Sequence, residues 1–200
     1  MKTLLSKHSL GGIGGSLFLL LFLTLQGFSQ AYKQEVPEEY GYRVKIGQTV
    51  PDFTILLPDG SKTKINKLRG KVVMIQFTAS WCSVCRKEMP HIESDIWQKW
   101  KDNPNFALYG IDLMENAETT TKFQSDMKIT YSLALDTDGS IFKQFTVPDA
   151  GVTRNIIIDK EGKIAYMTRL YKEKEFNEMV SVIGLLLTFS KGGGTKEDTK

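Results

Sequence analysis

The stretch "TASWCSVCRKEMP", residues 78–90, holds both cysteines of the chain, Cys82 and Cys85. A pair with this spacing can do one of three things. At a helix N-terminus it is a redox dithiol. Unpaired backbone N–H groups and the helix dipole favour an anion there, so the first thiol ionises below the range of a free cysteine. As half of a metal site the pair needs two more ligands. His91 is the one histidine beyond the first thirty residues, and no carboxylate spacing completes a set. As a structural disulfide it closes a very short loop and constrains the unfolded chain weakly. The missing ligands and the short loop favour redox chemistry, and no metal is expected.

The elements around the pair must supply that helix N-terminus. "KVVMIQF", residues 71–77, is almost continuously apolar, as a strand buried on both faces is. From about Cys82 a helix is predicted, because Cys85, Met89, Ile92, Ile96 and Trp100 form one apolar stripe. Pro90 lies inside it and should kink it, since proline removes a backbone donor. Before the strand, residues 51–70 alternate and then turn at Asp59-Gly60, which reads as an edge hairpin. After the helix come a strand (105–113), a weaker helix around Phe123 and Met127, a short strand "YSLAL" and a short helix "SIFKQF". "RNIIIDKEGKIAYMTR", 154–169, reads as two antiparallel strands joined by a short turn. A last helix carries Phe176, Met179, Val180, Ile183 and Leu187 on one side. Alternating βα units followed by a hairpin and a helix predict an α/β sandwich with a mixed central sheet.

With these elements in place, "FTASWCSVCRKEMP" resembles the active-site segment of the thioredoxin superfamily. The likeness is to its exported TlpA/ResA-like branch of thiol–disulfide oxidoreductases. "PDFTILLPDG" resembles the opening of that branch, and "IIIDKEGKI" its closing hairpin. The resemblance implies a thioredoxin-like sandwich with helices on both faces, an extra N-terminal hairpin and a central βα insertion at residues 114–140. It implies that Cys82 is the attacking thiolate and Cys85 the resolving thiol, and that Trp81, Ser83 and Val84 border the site. Pro90 is then the family's helix kink. Glu88, three residues after Cys85, lies on the same helical face. By the resemblance it takes the Cys85 proton, and burial would raise its pKa toward working pH. The implied cofactor is none beyond the Cys82–Cys85 disulfide itself.

Two positions depart from the pattern. Thioredoxins carry a buried acid six residues ahead of the first cysteine; here Gln76 stands there and accepts no proton. The family also sets a cis-proline six residues before the aspartate of the closing hairpin. That place falls on Thr153. A cis bond before a non-proline costs about 3–4 kcal/mol, so a trans peptide is expected. Thr153 and Val152 are expected to line the substrate groove, with an altered backbone edge.

The first thirty residues are of another kind. Lys2, Lys7 and His8 precede the apolar run Leu17–Leu23, then "LQGFSQA". This order reads as a signal peptide over 1–29, with small Gly27 and Ser29 at the cleavage positions. The segment is shorter than the ~20 apolar residues of a spanning helix, so no stable membrane span is expected after cleavage. Residues 30–46 are read as a polar lead-in, 47–189 as the thioredoxin-like domain and 190–200 as a disordered tail. Cleavage removes two lysines and no acid, so the net charge of +3 falls to +1. No basic cluster suggests nucleic acid. An exported chain, periplasmic where the cell has an outer membrane, meets an oxidising compartment. Its expected partners are transient: disulfide-containing client proteins and an upstream thiol donor.

Two other functions stay open. One is a peroxidase of the peroxiredoxin type. It would place a threonine three residues before the reactive cysteine, where this chain has Ala79 and Thr78 is one place off. The other is a non-catalytic binding module of the cell envelope with a spectator disulfide, a reading motivated by Thr153.

Overall fold

A computed structural model describes residues 34–188. The predicted signal segment 1–29 and the tail 190–200 lie outside the described residues. Among the described residues no helix is long and apolar enough to cross a membrane.

The element order is the one read from the sequence. Strands β1 (Thr54–Leu56) and β2 (Lys62–Lys64) form the separate two-stranded hairpin. β3 (Val72–Thr78) is buried at every position. Helix α1 (Ser83–His91) runs on through a wide turn, Ile92–Trp97, and a last α-turn, Gln98–Trp100. Then follow β4 (Phe106–Leu113), α2 (Ala117–Met127), β5 (Ser132–Asp136), α3 (Ser140–Phe145), β6 (Arg154–Ile158), β7 (Ile164–Arg169) and α4 (Glu173–Thr188). The wide turn begins two residues after Pro90. The missing proline N–H leaves the preceding turn without one ladder bond, and the helix relaxes into longer-range bonding there.

The sheet order is β5-β4-β3-β6-β7. β3 pairs parallel with β4 and antiparallel with β6, and β4 pairs parallel with β5. β6 and β7 are antiparallel, as their short turn requires. The strand alternation of β3 sorts the two faces. Phe77 packs against Phe142 and Phe145 of α3, with ring centroids 5.2 and 5.3 Å apart. The opposite face carries Gln76 and Thr78; the Thr78 hydroxyl meets Met89 Sδ of α1 at 3.5 Å. Helices thus cover both faces of a mixed sheet.

Two details differ from the sequence reading. The polar lead-in belongs to the packed unit from Gln34 onward. Its Gln34 side chain bonds both the N–H and the C=O of Met167, and Tyr40 and Val44 are buried. Amide and aromatic side chains attach it to β7, which a count of polar residues does not reveal. In α4, Val182 joins the core while Val180 is only half-buried.

Candidate functional site

β3 delivers the chain to the carboxyl end of the central strand at Thr78, and Ala79–Trp81 turn it into α1. The Cys82 N–H donates to Ala79 O at 3.1 Å, and its backbone is extended (φ −86°, ψ 106°). Cys82 is therefore the N-cap, and its Sγ accepts the Cys85 N–H at 3.2 Å. This is the arrangement in which backbone donors favour a thiolate. The two cysteines are joined as a disulfide, their Cα atoms 5.3 Å apart. Access is unequal: Cys82 is 9% exposed and Cys85 is not exposed at all. An incoming sulfur reaches Cys82 first.

Around this pair the surface and the interior divide the predicted residues. Trp81 projects into solvent at 66% exposure, so it is neither a core aromatic nor a packed shield. Ser83 is exposed and Val84 half-buried. Pro90 is also exposed. Val152 and Thr153 are buried rather than open along a groove. The antiparallel register that sets Phe77 opposite Arg154 carries Thr153 to the end of β3. There its Oγ1 lies 3.1 Å from Cys82 Sγ and 3.2 Å from Cys85 Sγ. Among the described residues every peptide bond is trans, that before Thr153 included.

Glu88 is buried, one helical turn beyond Cys85. Asn155 Nδ2 donates to Glu88 Oε1 at 2.7 Å and reaches Thr168 Oγ1 at 3.0 Å. Burial pushes the Glu88 carboxyl up to about 7, against the smaller pull of the Asn155 and Gln76 amides. Gln76 is a core amide whose Oε1 accepts the Tyr131 hydroxyl at 2.8 Å. Among the described residues its Nε2 and Glu88 Oε2 have no partner at hydrogen-bond distance, so the Gln76 amide acts on the carboxyl from further away than Asn155 does. The buried acid of this site thus stands on α1 rather than on β3.

Sequence reasoning missed Asn155 and Thr168, although a lone amide inside the apolar strand "RNIII" was a visible signal. It also missed a second acidic contact. Glu115 accepts the Ser80 N–H at 2.8 Å and the Ser80 hydroxyl, tying the loop before Cys82 to the end of β4. Beside it Asp112 is buried and accepts the Thr120 hydroxyl at 2.6 Å. Burial, with Glu115 adding to it, pushes Asp112 up to about 8.

His91 stacks on Tyr171 with centroids 5.0 Å apart, and no group of three metal-ligating side chains occurs among the described residues. Thr78 directs its hydroxyl to Met89 rather than toward Cys82.

The geometry agrees with the comparisons. The protein is 26% identical over 159 residues to the thiol–disulfide oxidoreductase ResA of Bacillus thuringiensis, covering 80% of this chain and 88% of that protein. A candidate protein disulfide isomerase from Bacteroides thetaiotaomicron, solved in solution, shares 54% identity at a TM-score of 0.72. That match covers 74% of this chain and 94% of the other. A DsbE-type thiol:disulfide interchange protein candidate from Chlorobium tepidum has the same fold at 23% identity and a TM-score of 0.63, covering 72% and 99%. The AhpC/TSA family profile matches residues 46–167, most of the described chain. The protein is a thioredoxin-fold member of the AhpC/TSA family.

Proposed function

We propose that this protein is an exported thiol–disulfide oxidoreductase that reduces disulfides in client proteins. The observation that carries the reading is Cys82 Sγ as a helix N-cap at the surface with Cys85 buried directly behind it. In the reduced protein the Cys82 thiolate attacks a client disulfide. One client sulfur leaves with the electron pair, and a mixed disulfide forms. Cys85 gives its proton to Glu88 and attacks Cys82 Sγ. The second client sulfur leaves, and the Cys82–Cys85 disulfide is restored. A carboxyl held near 7 suits that transfer, since it accepts a proton at working pH and returns it readily.

Exposed Trp81 and Ser83 flank the more accessible sulfur of the pair and meet the client. An upstream dithiol then reduces the pair again. The basic-then-apolar N-terminal order supports export, and periplasmic residence where an outer membrane exists. No bound cofactor enters any step.

The test is a Cys85→Ser variant expressed in the native cell. It should accumulate Cys82-linked mixed disulfides, identified by mass spectrometry, while the wild type catalyses insulin reduction. The absence of both a trapped partner and insulin reduction would sink the proposal.

A further inference from the structure

The two sulfurs share a contact that the cysteine motif does not explain. Thr153 Oγ1 lies 3.1 Å from one and 3.2 Å from the other. In the disulfide neither sulfur carries a hydrogen, so the one proton in this contact is the hydroxyl's. The side chain is 3% exposed, and its hydrogen-bond contacts are these two sulfurs. Its position is set by the backbone: Leu170 N–H donates to Thr153 O at 3.0 Å, and β6 begins at the next residue. A β-branched side chain also has restricted χ1 freedom.

We propose that the Thr153 hydroxyl is a catalytic group that stabilises the thiolate on whichever cysteine carries the charge. The proposal rests on Cys82 being the attacking thiol. In the reduced protein the hydroxyl donates to Cys82 S⁻ while its oxygen accepts the Cys85 S–H. When a donor dithiol reduces the pair, a donor thiolate attacks Cys82 Sγ and the Cys82–Cys85 bond breaks. Cys85 then leaves with the electron pair, and the hydroxyl donates to that sulfur. The donor's second thiolate next attacks its own sulfur in the mixed disulfide, releasing Cys82 S⁻ and leaving the donor oxidised. Cys85 S⁻ takes back the proton held by Glu88, and the hydroxyl returns to Cys82. A fixed donor aimed at developing charge, buried away from water, needs no reorganisation at either step, and hydrogen bonds to ionised acceptors are the stronger kind. A proline at this position has no side-chain donor. The departure from the family pattern therefore adds a function to the site.

Other charged groups surround the pair. Glu88 stands on α1, and Arg86, on the same helix, donates through Nε to Ser80 O at 2.7 Å. Glu115 and Asp112 stand at the end of β4, and Arg154 lies on the far face of β6 beside Tyr42. All remain in place when Thr153 alone is changed.

The experiment compares Thr153→Val, which keeps shape and removes the hydroxyl, with Thr153→Ser, which keeps it. The Cys82 pKa is read from thiolate absorbance of the reduced proteins and from the pH dependence of alkylation. A lost hydrogen bond to a charged group corresponds to a shift of roughly one unit. Thr153→Val should raise the Cys82 pKa by that amount and slow insulin reduction about tenfold at pH below the new value, while the serine variant recovers most of both. Circular dichroism checks the fold, and Thr153→Ala replaces the valine variant if that does not fold. An unchanged pKa and rate in the hydroxyl-free variant overturns the inference, as does a serine variant shifted as far as valine. An inactive wild type whose Cys82 titrates as a free thiol overturns the oxidoreductase reading instead.

Discussion

Glu88 and Asn155, 67 residues apart in the chain, meet at 2.7 Å on the face of the sheet that α1 covers. One comes from α1, one turn beyond the cysteines, and the other from β6, which also delivers the sulfur-facing Thr153. A single strand thus places a hydroxyl at the sulfurs and an amide at the buried acid.

The first prediction concerns pH and rate. Glu88 accepts a proton only when ionised, so reduction should rise as pH passes through about 7. Glu88→Gln should lose that inflection and fall about tenfold or more at pH 8 in insulin reduction. A variant with the wild-type pH profile would remove Glu88 from the proton path.

Stability should follow the same group with opposite sign. The folded protein holds the Glu88 proton at about 7 against an ordinary 4.5. Its contribution is therefore complete below about pH 4.5 and lost as pH rises through 7, by up to about 3 kcal/mol. Asp112, pushed up to about 8, adds to the same slope. Urea unfolding at pH 5 and pH 8 should show a smaller decline for Glu88→Gln than for wild type. The difference between the two proteins isolates Glu88.

Asn155 favours the charged form of Glu88. Replacing it with leucine removes that donor while filling similar space. The inflection in the pH–rate profile should move upward by about one unit. Thermal stability should fall as well, since Thr168 Oγ1 loses its amide donor. A downward or absent shift would contradict the role given to Asn155.

Glu115→Ala tests the second acidic contact. Both Ser80 donors lose their acceptor. Unfolding should cost about 1–3 kcal/mol less, and amide exchange at Ser80 should accelerate. Unchanged exchange at Ser80 would show that the loop is held by other means.

The core of this reading was visible in linear form. Continuous apolarity marked β3, and the Cys85–Met89–Ile92–Ile96 stripe marked α1, because both patterns follow from backbone periodicity. The short turn at Asp159–Gly162 required β6 and β7 to be antiparallel. Polar lead-in residues misled, since Gln34 and Tyr40 attach through individual contacts that composition averages away. Asn155 was overlooked because one amide in a strand has no periodic signature.

The sequence by itself determined the chemistry available at the site: two cysteines, a helix start, a following acid and a threonine where a proline was expected. Those are local properties, set by residue type and by spacing within one element. Only the tertiary structure decided which groups meet. The 3.1 and 3.2 Å contacts of Thr153 with the sulfurs depend on the register of β6 against β3, as does the Asn155–Glu88 bond. Register is a long-range outcome of packing both sheet faces. It turned a missing proline into a hydroxyl between two sulfurs.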